Sequence, residues 1–333
     1  MLDTIRPELS YASTVPRGLV HRAAVCEVFL TDTQRRDEGE YWVAAQLPRV
    51  HSYYSDQAAG PASYDPLLLL EVFRQTSILV THAHMDVPRD QKFSFNTGDL
   101  RILDSEALRF GDRPAHALID VVVTHRKFRD AQLVGVSLRM RLSFDDRQAA
   151  SMDMTIQWMP GHAWAKLRER NRATLTLPNA MPESGGSLPP SAVGRAAEQN
   201  VVLSEAVVLG HEVVSKLRVD QGHPALFDHP LDHIPAALLF EAYRQTGVFA
   251  AHELLGLSPL RLSMSRCKVA FNRFAELELP TTCHAQLVGD PDADAITLRM
   301  ELRQQETVST ADVTLGCASA VGRAVRIPAQ RAS

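Results

Sequence analysis

The chain has 333 residues, of which 45% are hydrophobic and 22% charged, and its net charge at pH 7 is −4. These values are typical of a globular protein long enough for two domains, and they give no electrostatic basis for binding nucleic acid or an anionic membrane. The longest apolar runs, such as residues 236–240, are far shorter than a membrane span.

Signal peptides and cysteine pairs both bear on the compartment in which a protein resides. The N-terminal sequence MLDTIR lacks the basic and apolar regions of a signal peptide. The four cysteines include no Cys-x-x-Cys pair. We therefore expect a cytoplasmic protein whose cysteines are free thiols.

Four segments of the chain recur in the same order. Residues 20–30 match 193–203, residues 71–76 match 241–246, residues 137–142 match 297–302, and residues 153–156 match 312–315. Short solenoid repeats would recur at periods of about 20–50 residues, so these matches indicate duplication of a whole domain. We predict a first repeat at 18–175, a linker at 176–191, which is rich in turn-forming residues, and a second repeat at 192–328.

Each repeat is predicted to contain a long buried helix followed by antiparallel strands. Residues 66 to about 84 and 236 to about 254 are apolar on nearly every side, which is typical of a fully buried helix. Strand-like alternation follows at 117–123, 133–144 and 152–158, and again at 282–288, 295–302 and 311–317. A helix from 161 to about 172 closes the first repeat. We therefore predict an α+β fold in which each half is an antiparallel sheet wrapped around a long central helix.

Both central helices carry the same polar trio of an acid, an arginine and a glutamine at positions i, i+3 and i+4, which lie on one helix face. The trio is Glu71, Arg74 and Gln75 in the first repeat, and Glu241, Arg244 and Gln245 in the second. Burying charged groups is costly, so the recurrence of this trio in two apolar helices indicates a structural or functional role. Two interpretations are open. The Glu–Arg pair is a structural salt bridge, or the glutamate is a general base while the glutamine orients a polar group of the substrate.

A histidine-bearing loop precedes each helix, with His51 in the first repeat and with His229 and His233 in the second. His229 and His233 are four residues apart, but Pro230 between them opposes a regular helical turn, and no familiar metal-ligand spacing appears. We predict no metal site. These histidines are structural or exposed, or one of them pairs with a glutamate across the repeat interface and exchanges protons near neutral pH.

Several of these segments resemble a known family. The segment 235–245, PAALLFEAYRQ, is similar to the helix start of hotdog-fold acyl-carrier-protein dehydratases, whose catalytic acid precedes a glutamine by four. The loop 227–235 followed by Glu-Ala-x-Arg-Gln more closely resembles the A-factor biosynthesis hotdog repeat family, as do residues 20–24, 49–53, 192–196 and 271–277. The resemblance runs from about residue 18 to 325 and implies a tandem double hotdog.

The resemblance also implies an activity. It suggests an acyltransferase that moves a β-ketoacyl group from acyl carrier protein to the hydroxyl of dihydroxyacetone phosphate in γ-butyrolactone or butenolide signal biosynthesis. No organic cofactor is implied, and no Gly-rich phosphate loop is present. The alternatives are a hotdog dehydratase or thioesterase acting on acyl carriers, and a non-catalytic acyl- or lactone-binding protein.

Site roles follow from the same resemblance. In hotdog dimers the histidine and the acid of one site come from different subunits, so His51 is expected to serve Glu241, and His229 to serve Glu71. Alignment on Glu241 places the dehydratase histidine at Phe227, so the two histidine loops do not match. Glu241 or Glu71 is predicted to deprotonate the alcohol, with His51 as the alternative base, and Glu241 is favoured. Arginines are expected to bind the phosphate, and the candidates are Arg74, Arg244, Arg49 and Arg273.

Overall fold

The structure is a computed structural model that describes residues 8–57, 63–179, 185–289 and 295–317. Residues 180–184 of the predicted linker and residues 318–328 of the predicted second repeat lie outside these ranges.

Within the residues that the structure describes, each half of the chain contains six strands and a long central helix. The elements of the first half are β1 (Leu30–Asp37), β2 (Glu40–Leu47), α1 (Pro66–His84), β3 (Lys92–Ile102), β4 (Ala115–Arg129), β5 (Gln132–Phe144), β6 (Arg147–Met159) and α2 (Gly161–Arg172). Those of the second half are β7 (Leu203–Leu209), β8 (Glu212–Leu217), α3 (Ala236–Leu255), β9 (Leu262–Phe271), β10 (Thr282–Val288), β11 (Ala295–Arg303) and β12 (Thr307–Cys317). The three predicted helices and the six predicted strands are all present.

The ends of the two central helices follow from local sequence. Asp65 caps α1, because its carboxylate accepts a hydrogen bond from the backbone N–H of Leu67 at 2.8 Å, and Pro66 occupies the first turn. Helix α3 ends at Gly256, whose φ of +67° is the left-handed conformation that glycine adopts without strain. Both helices are buried along most of their length, as their apolar sequences predict.

All twelve strands form one antiparallel sheet in the order β1-β2-β4-β5-β6-β3-β9-β12-β11-β10-β8-β7. Read from its outer edge inward, each half has the same strand order, and the halves meet where β3 pairs with β9, from Thr97 opposite Ala270 to Arg101 opposite Arg266. The prediction of an antiparallel sheet around a long helix is confirmed for both halves. The two seam strands, β3 and β9, are absent from the strands predicted from sequence alternation.

Helix α2 follows the first half in sequence but packs on the second half. Arg168 donates to both carboxylate oxygens of Glu276, at 2.5 and 2.6 Å, and its guanidinium lies 4.6 Å from the centre of the Phe274 ring. Arg172 also contacts Glu276 and donates to Glu278 at 2.7 Å. The helix therefore ties the two halves together. Within the described ranges, no helix is long and apolar enough to cross a membrane.

Candidate functional site

The polar trio of α1 lies in a buried ion-pair cluster. Glu71 is 4% exposed and accepts hydrogen bonds from Arg74 Nε at 2.7 Å, from Arg74 Nη2 at 2.9 Å and from Gln75 Nε2 at 2.7 Å. Arg22, from the segment before β1, also contacts this carboxylate: its Nε lies 2.9 Å and its Nη2 2.6 Å from Glu71 Oε1. We call Arg22, Glu71, Arg74 and Gln75 the first cluster.

The trio of α3 repeats this arrangement with its own additional arginine. Glu241 accepts from Arg195 Nε at 3.0 Å and Nη2 at 2.9 Å, from Arg244 Nε at 3.0 Å and Nη2, and from Gln245 Nε2. We call Arg195, Glu241, Arg244 and Gln245 the second cluster. The duplication therefore extends to the geometry of individual side chains.

The glutamine of each cluster is locked to backbone groups near the first strand of its own half. Gln75 donates to Glu27 O at 2.7 Å and accepts from Phe29 N at 3.1 Å. Gln245 donates to Asn200 O at 2.7 Å and accepts from Val202 N at 2.9 Å. These bonds fix the glutamine orientation and thereby support the carboxylate beside it.

Arg22 and Arg195 are absent from the residues predicted for the site. A signal for them exists in the sequence, because both occupy the same place in the repeated segments Val-His-Arg-Ala-Ala and Val-Gly-Arg-Ala-Ala. Each arginine lies far from its glutamate in sequence, so the spacing of residues on one helix face does not predict their contact.

Both cluster carboxylates are charged at neutral pH. Burial alone would raise the pKa of Glu71, but Arg22 and Arg74 outweigh it and hold that pKa at about 2. Burial opposes Arg195 and Arg244 in the same way at Glu241, whose pKa is also about 2. Such a carboxylate binds protons weakly and holds its arginines strongly. The base roles of Glu71 and Glu241 stay predictions.

The loop at residues 51–56 of the first half reaches the second cluster. Tyr53 donates its hydroxyl to Glu241 Oε2 at 2.8 Å, and Arg195 Nη1 donates to Tyr53 O at 2.8 Å. Asp56 accepts from the backbone N–H of Ala196 at 3.2 Å and from that of Ala197 at 3.1 Å. The predicted exchange between halves is present, but Tyr53 makes the contact with Glu241 that was expected of His51.

The opposite exchange is made by Asp228 of the second half. Its carboxylate accepts from the backbone N–H of Ala23 at 2.6 Å and from that of Ala24 at 2.9 Å, directly after Arg22 of the first cluster. His229 lies beside it, with Nδ1 3.3 Å from Asp228 Oδ2. The second half therefore contributes to the surroundings of the first cluster, as predicted, although His229 itself does not bond Glu71.

His51 holds its own loop in place. Its Nδ1 accepts from the backbone N–H groups of Tyr53 at 3.1 Å and Tyr54 at 3.2 Å, and its Nε2 lies 3.1 Å from Glu27 Oε1. With both ring nitrogens engaged, the imidazole fixes the loop that carries Tyr53. A catalytic role for His51 stays a prediction.

The expectation that the histidine loops do not match was wrong. His223 makes the contacts of His51 in the second half: its Nδ1 accepts from Ala225 N at 3.3 Å and Leu226 N at 3.1 Å, and its Nε2 lies 2.9 Å from Asn200 Oδ1. The connection from this histidine to the central helix is shorter in the second half, so alignment on Glu241 misses it.

The remaining predicted arginines lie elsewhere. Arg49 is exposed and donates to Asp112 O at 2.9 Å, and Arg273 pairs with Glu306. Among the described residues, neither arginine has a contact with either cluster. Their phosphate-binding roles stay predictions.

The two clusters differ in access to solvent. The side chain of Arg74 is 29% exposed, whereas that of Arg244 is 9% exposed and those of Arg195 and Glu241 are fully buried. Tyr53 covers the second cluster, and its counterpart in the other half is Ala225, which has no hydroxyl to donate to Glu71. The first cluster is open at Arg74, and the second is closed.

Other features give no competing site. In the part of the chain that the structure describes, no three His, Cys, Asp or Glu side chains are arranged to hold a metal ion. A groove on the sheet is lined by residues of β3, β4, β5, β6, β9, β11 and β12 and contains no residue of either cluster. The first cluster is therefore the candidate site on the basis of its geometry and charge.

Comparisons with known proteins agree with this architecture. The model of the A-factor biosynthesis hotdog domain matches residues 4–160 and 179–319. A 2-oxo-3-(phosphooxy)propyl 3-oxoalkanoate synthase of Streptomyces virginiae is 34% identical over 89% of this chain and 95% of its own length. A protein of the same name from Streptomyces griseus subsp. griseus is 29% identical over 92% of this chain and 93% of its own length.

Solved structures support the fold. A pyran synthase domain from module nine of the sorangicin pathway aligns with a TM-score of 0.53 at 12% identity, covering 87% of this chain and 98% of that domain. A protein described as an oleoyl thioesterase from Lactobacillus plantarum aligns with a TM-score of 0.51 at 13% identity, covering 84% of this chain and 96% of that protein. The predicted tandem double hotdog is confirmed. From the family-model match and the 34% identity to a full-length relative, this chain belongs to the A-factor biosynthesis hotdog family.

Proposed function

We propose that this chain joins a 3-oxoalkanoyl group to the hydroxyl of dihydroxyacetone phosphate. The name of its relatives describes this ester, because a 2-oxo-3-(phosphooxy)propyl group is dihydroxyacetone phosphate without its hydroxyl. We further propose that the donor is a β-ketoacyl thioester of acyl carrier protein and that the product enters γ-butyrolactone or butenolide signal biosynthesis. A cytoplasmic location is part of the proposal and is supported by the free thiols of Cys26, Cys267 and Cys283.

The observation that carries this proposal is the open edge of the first cluster. Glu71 holds Arg74 in place through two hydrogen bonds, while part of the Arg74 side chain faces solvent. A fixed guanidinium suits a phosphate group, because its N–H groups match the phosphate oxygens. We propose that Arg74 binds the phosphate of the acceptor.

Glu71 and Gln75 support this arginine. The Glu71 carboxylate is shared by Arg22 and Arg74, and Gln75 has Glu71, Glu27 and Phe29 as partners. We propose that these two residues position Arg74 and that substrate lies on its exposed side.

The second cluster is proposed to be structural. Sequence comparison favours Glu241 as the catalytic acid, but Glu241 and Arg195 are fully buried beneath Tyr53. A substrate would have to displace the Tyr53 hydroxyl to reach them. The same four residue types then serve recognition in one half and stability in the other.

The test uses purified protein with 3-oxooctanoyl-acyl carrier protein as the donor. Dihydroxyacetone phosphate is the acceptor, and dihydroxyacetone is the matched acceptor without phosphate. We expect mass spectrometry to show the phosphorylated ester with the first and little ester with the second. Free 3-oxo acid in both reactions would indicate a thioesterase, and an unchanged thioester would indicate a binding protein. Either outcome contradicts the proposal.

The role of Arg74 has its own test in the same assay. Arg74→Gln should lower kcat/KM with dihydroxyacetone phosphate and leave the slower reaction with dihydroxyacetone unchanged. Equal losses with both acceptors would mean that Arg74 does not contact the phosphate.

A further inference from the structure

A histidine in a left-handed backbone conformation adjoins Arg22 of the first cluster and interacts electrostatically with Arg74. His21 precedes Arg22 and has a φ of +51°, in the left-handed region that non-glycine residues rarely adopt. Its counterpart in the second half is Gly194, with a φ of +72°, which adopts this conformation without strain. The first half therefore keeps a side chain where the fold favours glycine, and such strain is often retained at functional sites.

His82 of α1 fixes the tautomer of His21. His82 Nδ1 lies 2.7 Å from Val87 O, and a carbonyl only accepts, so this nitrogen carries the proton. The other nitrogen of a neutral His82 is then an acceptor. His21 Nε2 lies 3.0 Å from it and donates, which leaves the lone pair on His21 Nδ1.

The second half has the supporting histidine without its partner. His252 Nδ1 lies 3.0 Å from Leu257 O, which is the same helix-end contact that His82 makes. Gly194 has no imidazole to pair with it. The histidine pair is thus confined to the half whose cluster is open.

The surroundings of His21 keep its imidazole neutral. Burial, followed by His82, Arg74, Lys92 and His229, lowers the pKa of His21 to about 4. These groups come from α1, from β3 and from the Asp228 loop of the second half, and the Phe93 ring lies perpendicular to the imidazole with the two ring centroids 5.2 Å apart. These four neighbours are cationic or become so on protonation, so a phosphate bound beside them would raise the pKa of His21 toward neutrality.

We propose that His21 is the catalytic base of the first site. This inference rests on the proposed acyl transfer. His21 Nδ1 takes the hydroxyl proton of dihydroxyacetone phosphate while the hydroxyl oxygen bonds to the thioester carbonyl carbon. The carbon–sulfur bond then breaks, and the departing thiolate takes the proton from His21. One ester and one thiol form, and the imidazole returns to its neutral state.

The decisive variant is His21→Gly, because the second half already has glycine at this position. We expect a folded protein, because relief of the left-handed backbone strain offsets the lost hydrogen bond to His82, together with a kcat about 10²–10⁴-fold lower and little change in the KM for dihydroxyacetone phosphate. Added imidazole should restore part of the lost rate in this variant and leave the wild type unaffected. His21→Asn tolerates the left-handed conformation and serves as a second variant should the glycine variant fold poorly.

Matched controls separate chemistry from structure. His82→Asn removes the partner of His21 together with the helix-end contact to Val87 and should lower kcat less. His252→Asn removes only the equivalent helix-end contact to Leu257 and should leave kcat unchanged. Nitrogen NMR of His21 should show its pKa rising when dihydroxyacetone phosphate binds.

Each contrary outcome has one meaning. A wild-type protein that forms no ester overturns the proposed function itself. Wild-type kcat in His21→Gly overturns only the base assignment. Loss of activity without imidazole rescue, in a folded variant, also overturns it, because a merely structural role predicts that result.

Discussion

The first and second clusters contain the same four residue types at equivalent positions, and they differ in what covers them. The second is closed by Tyr53 from the opposite half, whereas the first has Ala225 at the corresponding place and an exposed Arg74. The charges are the same, so we propose that the covering residue decides whether such a cluster binds a ligand or only stabilises the fold. The following predictions test that distinction.

The largest expected effect is on stability. Glu241→Ala leaves the fully buried Arg195 without its main partner and should reduce the free energy of unfolding by about 3–5 kcal/mol. Glu71→Ala should cost less, because water can reach Arg74, although Arg22 is left buried without its glutamate. Urea unfolding of both variants measures the difference. Equal losses would show that the clusters do not differ in burial as described.

The next effect concerns acid stability. Each cluster glutamate has a folded-state pKa of about 2 against a usual value of 4.5, so its stabilising contribution is complete above about pH 4.5 and is lost as pH falls toward 2. The stability difference between wild type and Glu71→Gln should therefore shrink over this range, and likewise for Glu241→Gln. Urea midpoints measured from pH 7 to pH 3 check this, and a constant difference would contradict it.

A smaller effect distinguishes the arginines in catalysis. Arg74→Gln should lower kcat/KM for dihydroxyacetone phosphate by about 10–100-fold, because a hydrogen bond to a charged group contributes about 1.5–3 kcal/mol. Arg244→Gln should reduce stability but leave kcat/KM per folded molecule nearly unchanged. The reverse pattern would move the active site to the second cluster, in agreement with the sequence-based preference for Glu241.

The smallest expected effect is the loss of stability when the hydrogen bond from Tyr53 to Glu241 of the second cluster is removed. Tyr53→Phe removes one hydrogen bond to Glu241 and should cost about 1 kcal/mol of unfolding free energy. Tyr54→Phe is the matched control, because within the described residues the structure gives no hydrogen bond for the Tyr54 hydroxyl. Thermal unfolding compares the two. Acyl transfer should be unchanged in Tyr53→Phe, and a gain of activity there would show that the second cluster becomes a site once uncovered.

Patterns local in sequence predicted much of this molecule. Helical and strand periodicity located α1, α3 and six of the twelve described strands, because side-chain direction repeats within each element. Spacing on one helix face placed Glu71 with Arg74 and Gln75. Strands β3 and β9 escaped prediction. Their partners across the seam come from opposite halves, and much of β3 is only partly buried, so its alternation is weak.

The openness of a cluster could not be predicted in this way. It depends on Tyr53 facing Glu241 across the interface between halves, and on Ala225 at the equivalent place. The alignment that would have compared these two residues failed, because the connection after His223 is shorter. Long-range pairings of this kind require the three-dimensional arrangement, whereas the trio on each helix does not.

The loops of Asp56 and Asp228 each contact the half to which they do not belong, and this has a consequence for how the chain evolved. In a dimer of identical subunits, any mutation in such a loop alters both sites together. After gene fusion, each loop is inherited as a separate position, so one site can be lost while the other is retained by selection. Tyr53 and Ala225 are such a pair of positions: Tyr53 donates a hydrogen bond to Glu241, whereas Ala225 has no side-chain donor.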